Sequence, residues 1–127
     1  MIEVGEYVRF KSGKISKVTE VRYAEDYKKQ FKKPNRLLNY IKDKYWVDNQ
    51  CGSWTDMTIV KHSKNIIDLI TKGDYINGIK VIQIFYDKKT DMLVPITADR
   101  REFYNPEIIN SIVTKEQFRN MEYRLRD

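Results

Sequence analysis

The residues best suited to chemistry are basic and aromatic, and they cluster. Between Arg22 and Lys44 the chain carries Arg22, Lys28, Lys29, Lys32, Lys33, Arg36, Lys42 and Lys44 against Glu25, Asp26 and Asp43. Eight cations against three anions make +5, most of the net +6 of the 127-residue chain. Tyr23, Tyr27, Phe31 and Tyr40 interleave with them. Lysines and arginines neutralise phosphates while neighbouring rings stack on bases, so this mixture suits nucleic acid or another acidic partner. The same residues also suit a solvated strand edge, where lysines discourage pairing with a second sheet. Within the stretch, Tyr27, Lys28, Lys29, Phe31, Lys32, Lys33 and Arg36 are the candidate partner-binding residues. Arg100 and Arg101 join them from the second half. Trp46, Trp54, Arg119, Arg124 and Arg126 are further binding candidates, since Trp and Arg dominate interface energetics.

Catalytic arrangements are sparse. His62, the single histidine, has Ser63 beside it and Asp68 close by. Adjacent residues point in different directions, whereas a Ser-His-Asp triad converges across a fold. His62 is therefore expected as a surface residue at a helix start. Cys51, the single cysteine, excludes an internal disulfide and a Cys-rich zinc site. No HExxH, CxxC or GxGxxG spacing occurs. The carboxylate pair Asp87 and Asp91 brackets Lys88-Lys89-Thr90, which looks like a hairpin tip. No enzymatic activity, metal or cofactor is expected.

The elements that must position these residues come as an internal repeat. Ile2-Glu3-Val4-Gly5-Glu6-Tyr7-Val8 returns as Ile70-Thr71-Lys72-Gly73-Asp74-Tyr75-Ile76. Each copy runs into a glycine turn, Ser12-Gly13 or Asn77-Gly78, and then a β-branched run. Asn-Gly between apolar runs is a strong hairpin signal, because both turn positions take positive φ. Further strands are expected at Leu37–Ile41, Lys44–Val47, Met92–Ile96 and Arg101–Tyr104. The copies end alike, in Asp56–Val60 and Asn110–Val113, each followed by a hydroxyl residue able to cap a helical turn. Ser63 is the expected cap of 64–69. Thr114 with Gln117 spells a capping box. Phe118–Leu125 reads as a helix or a closing strand. Tyr7 and Tyr75 are expected in the core.

This pattern predicts a mainly β chain of two small SH3-like barrels in tandem, each closed by a short helical turn. The modules are 1–69, with the basic aromatic insertion near 22–44, and 70–127. One β-sandwich built from both halves is the alternative. No apolar run approaches the length of a membrane span, and the opening residues lack the charged and apolar regions of a signal peptide. A cytoplasmic protein is expected, monomeric or homodimeric.

Two stretches carry a resemblance. Ile59 to Ile70, continuing through Gly73 to Gly78, and Ile109 to Phe118 followed by Met121-Glu122-Tyr123, together with the opening Met1 to Val8, resemble small accessory proteins of phages and prophages of Gram-positive bacteria. The resemblance covers about half the chain and carries no site residues. It implies a counter-defence role, most plausibly that of a non-catalytic anti-CRISPR protein. The implied partner is a bacterial defence effector of the Cas type or its nucleic acid, in the host cytosol. Direct nucleic-acid binding through the basic aromatic segment is the alternative function.

Overall fold

The computed structural model describes residues 2–28, 43–48 and 59–121. Among them run β1 (Tyr7–Phe10), β2 (Ile15–Arg22), α1 (Ala24–Lys28), β3 (Lys44–Val47) and β4 (Ile59–Ser63), then a 3-10 turn, Ile66–Leu69. β5 (Tyr75–Ile76), β6 (Ile79–Asp87), β7 (Met92–Thr97), a second 3-10 turn (Pro106–Ile108), β8 (Ile112–Val113) and α2 (Lys115–Met121) follow. The chain divides into two compact units. The first is Met1–Lys11 with Ile15–Lys64, and the second is Ser12–Lys14 with Asn65–Asp127. The expected β-rich class holds: each unit is built on a four-stranded antiparallel sheet.

The two sheets share one topology. Their strand orders are β3-β2-β1-β4 and β7-β6-β5-β8, so β1 to β4 correspond in turn to β5 to β8. The match extends to single hydrogen bonds. Gly5 N donates to Val18 O at 2.9 Å, and Gly73 N to Val81 O at 3.0 Å. Val18 N donates to Glu6 O at 2.8 Å, and Val81 N to Asp74 O at 2.7 Å. Asp48 N donates to Lys17 O at 2.9 Å, and Ala98 N to Lys80 O at 2.8 Å. Both sheets carry a register shift at the same place, between Val18 and Glu20 and between Val81 and Gln83. Such a bulge bends the strand and raises its twist. Gly5 and Gly73 both adopt positive φ, 94° and 98°. A side chain there would be strained, which explains the glycine in each copy.

The cores correspond as well. Ile2, Val8 and Val18 are buried in the first unit, with Val21 and Ile59 packed against them. Ile70, Ile76 and Val81 are buried in the second, with Ile84 and Ile109 alongside. Each fully buried Val or Ile contributes about 1.5–3 kcal/mol of transfer free energy. Phe103 completes the second core, while Phe10, Tyr45 and Val47 fill the first.

A buried acid ties down each repeat. The carboxylate of Asp74 accepts bonds from Thr71 N (2.7 Å), Thr71 Oγ1 (3.2 Å) and Lys115 N (2.9 Å). Glu6 Oε2 accepts from Glu3 N at 2.5 Å, and its Oε1 lies 3.0 Å from His62 Nδ1. Each acid thus holds the turn before the first strand and reaches across its unit, Glu6 to His62 of β4 and Asp74 to the first residue of α2.

Several local expectations are met. Asn77 and Gly78 take φ of 51° and 83° and close the β5–β6 hairpin, with Ile76 opposite Ile79. Asp87 to Asp91 form the turn between β6 and β7. Thr114 and Gln117 make the capping box in both directions, at 3.1 and 3.3 Å, at the start of α2. Others need correction. Asn65, not Ser63, caps the 3-10 turn, its Oδ1 accepting from Ile67 N at 3.1 Å. The Arg101–Tyr104 run contributes an isolated bridge from Glu102 to Ile96, not a strand. His62 sits in β4 opposite Val8, not at a helix start. Tyr7 and Tyr75 are half-buried on the face opposite Val8 and Ile76, because successive strand residues alternate between faces. Leu37–Ile41 and Cys51 lie outside the described residues, as do Asp56, Met57 and Thr58.

Candidate nucleic-acid interface

Strand alternation sorts the side chains of the first unit. Val8, Val18, Tyr45 and Val47 turn inward. Tyr7, Arg9, Lys17, Glu20, Arg22, Lys44 and Trp46 take the other face, where Arg9 is buried. Tyr7 pairs with Lys17, Glu20 with Trp46 and Arg22 with Lys44. The register shift after Val18 matters here, since it returns Glu20 and Arg22 to the outer face. Lys17, Glu20, Arg22 and Lys44 are exposed, and Trp46 is half-buried.

The face contains two cation–aromatic pairs. The Arg22 guanidinium carbon lies 4.7 Å from the Trp46 ring centroid. The Lys17 ammonium lies 5.8 Å from the Tyr7 ring centroid. Glu20 Oε1 accepts from Arg22 Nε at 3.1 Å and steadies the guanidinium over the indole. Thr19 Oγ1 donates to Trp46 O at 3.2 Å, fixing the backbone beneath. With Arg22 and Glu20 about half exposed, each such contact is worth about 0.5–1 kcal/mol. Their consequence is order rather than stability. Two cations held over rings, with Lys44 paired beside Arg22, bring positive charge and aromatic surface together.

Of the residues singled out from the sequence, Tyr27 and Lys28 lie in α1, with their side chains outside the described set. Lys29, Phe31, Lys32, Lys33 and Arg36 lie outside the described residues, as do Trp54, Arg124 and Arg126. Asp43 Oδ1 accepts from Ala24 N at 2.6 Å and anchors the start of α1. Arg100 and Arg101 belong to the second unit, exposed in the turn after β7. Arg100 there has φ of 67°. Asp99 organises that turn, accepting from the Thr97 hydroxyl and from Arg101 N. The Thr97 bond holds the Asp99 carboxyl below its ordinary range. Sequence reasoning counted Arg22 and Lys44 only as flanks of the basic segment and missed Lys17 and Glu20. Period-two alternation in Lys44-Tyr45-Trp46-Val47 was the available signal, since it puts Lys44 and Trp46 on one side.

A second feature of this unit is a cleft of about 410 Å³ lined by Ile2, Asp43, Tyr45, Ile59, Val60, Lys61 and His62. His62 enters it with Nδ1 engaged by Glu6. Burial pushes the Glu6 carboxyl up, but the His62 bond and the Glu3 backbone bond outweigh it and leave it lowered. Among the described residues no group of three or more His, Cys, Asp or Glu is placed to hold a metal ion. No described helix is long and apolar enough to cross a membrane. Comparison with protein-family models, with curated proteins and with solved structures returns no match.

Proposed function

We propose that the protein is a non-catalytic nucleic-acid-binding module of two SH3-like units, the first of which carries the binding face. The observation that supports this reading is the ordered pair of cation–aromatic contacts on the outer face of β1, β2 and β3. The SH3-like assignment is supported in the second unit by the bridge from Glu102 to β7 and by the 3-10 turn before the last strand. Binding is tested by fluorescence anisotropy with labelled oligonucleotides across a salt series. Affinity should fall with added salt, with a log–log slope of about −0.7 per phosphate contacted on a single strand. Charge reversal at Lys28, Lys29, Lys32 and Lys33 should flatten that slope if the segment extends the face. Negligible binding at low salt removes the reading.

A counter-defence role is the second reading, supported by the likeness of Ile59–Ile70 and Ile109–Phe118 to phage accessory proteins. In that setting the face would compete for the nucleic-acid channel of a Cas-type effector. A tagged pull-down from host lysate with nuclease treatment separates the two. A stoichiometric effector surviving nuclease favours inhibition, and nucleic acid lost on treatment favours direct binding.

A further inference from the structure

We infer that α2 is a strap over the outer face of the second unit, held shut by the turn Ser12–Lys14. That turn belongs to the second unit, although in the chain it lies between β1 and β2. α2 spans Lys115–Met121, and none of these residues is buried. A helix this short is marginal in water unless packing supports it. The first turn is where it is anchored. Thr114, fully buried, caps it: its Oγ1 accepts from Gln117 N at 3.3 Å, and its carbonyl accepts from Phe118 N at 2.9 Å. Asp74 accepts from Lys115 N at 2.9 Å. The turn Ser12–Lys14 presses on the same place. Gly13 has φ of 89°, and a Cβ there would overlap Thr114 Oγ1 and lie 2.7 Å from Glu116 Cβ. Gly78, in the turn of the β5–β6 hairpin, has a similar φ of 83°, yet a Cβ there would meet nothing within 4 Å. Backbone conformation alone explains Gly78, whereas Gly13 also answers to a close approach of backbone to the capping threonine. What the strap covers is defined as well. Phe118 stacks on Tyr75 with centroids 4.7 Å apart and planes at 26°. Tyr75 lies opposite Lys80 as Tyr7 lies opposite Lys17. Opening α2 would uncover that ring beside an exposed lysine.

The test is amide hydrogen exchange, read by mass spectrometry on the full chain and on two variants, Gly13→Ala and Gly78→Ala. Both place a side chain at positive φ, so both strain a turn to a similar degree. Only Gly13→Ala pushes on Thr114. Peptides covering 114–121 should exchange about tenfold faster in Gly13→Ala than in Gly78→Ala, while those covering β7 exchange alike in the two. The pair Gly13→Asn and Gly78→Asn repeats the comparison with a side chain that tolerates positive φ, which keeps the test open where alanine unfolds the protein. Equal exchange of 114–121 within a pair would overturn the strap. So would faster exchange in every peptide of both Gly13 variants, since that is unfolding of the chain and not the release of one helix.

Discussion

The two units use one scaffold and opposite outer faces. At the positions where the first unit has Arg22, Lys44 and Trp46, the second has Phe85, Val94 and Ile96, matched through the shared register. Lys17 and Glu20 become Lys80 and Gln83. On the first face Lys17, Glu20, Arg22 and Lys44 are charged and exposed. The second is more apolar: Val94 is fully buried and β7 packs against the turn Ile66–Leu69, while Lys80 and Gln83 stay exposed. Tyr75, the counterpart of Tyr7, stacks at 4.7 Å on Phe118 of α2. In the first unit a cation lies over the equivalent ring instead. Under the proposed reading, binding falls to the first unit, and the predictions below test that division.

The acid clips differ in the same sense, and they yield the largest expected effect. Asp74 is fully buried and satisfies two backbone N–H groups from separate segments. Removing it leaves those donors without that acceptor, so Asp74→Ala should cost about 3 kcal/mol in denaturant unfolding. Glu6→Ala should cost less, about 1–2 kcal/mol, since one of its two partners is the half-exposed His62. Equal losses would contradict the difference drawn between the clips.

Phe118→Ala comes next. It removes the stack on Tyr75 and should cost about 1 kcal/mol, without changing oligonucleotide affinity. A loss of affinity in this variant would move the binding role toward the second unit.

The smallest effect is one of pH. Glu6 has a folded pKa below its ordinary 4.5. Its linkage contribution is fully present above that ordinary value and is lost as pH falls through the lower, folded one. Glu6→Gln should flatten the stability profile of the protein in that acid window alone. An unchanged profile would mean that the His62 and Glu3 bonds do not hold the carboxylate ionised.

Much of this scaffold was legible in the residues. The Gly-acid-Tyr repeat and the Asn-Gly turn have local physical causes, positive φ at turn glycines above all. The Thr114–Gln117 box needs only a hydroxyl and an amide three residues apart. The outer face was harder to read. A bulge after Val18 changes which side Glu20 and Arg22 take, and no residue type announces a bulge there. Tyr7 read as core because aromatic residues in strands usually are, yet Val8 beside it holds the inward place. Ser63 lost the cap to Asn65 because the helical turn starts later than the hydroxyl residue suggests. The Glu6–His62 pair spans 56 positions and appears only once β4 lies beside β1.

The most direct test exchanges the faces. Arg22→Phe, Lys44→Val and Trp46→Ile together give the first unit the outer residues of the second. Anisotropy with labelled oligothymidine is then compared with wild type, alongside a thermal unfolding curve to establish that the protein folds. The account predicts a cooperative transition and at least a tenfold loss of affinity, the loss of one aromatic ring and two charges. A folded exchange variant that binds oligothymidine as tightly as wild type would contradict it.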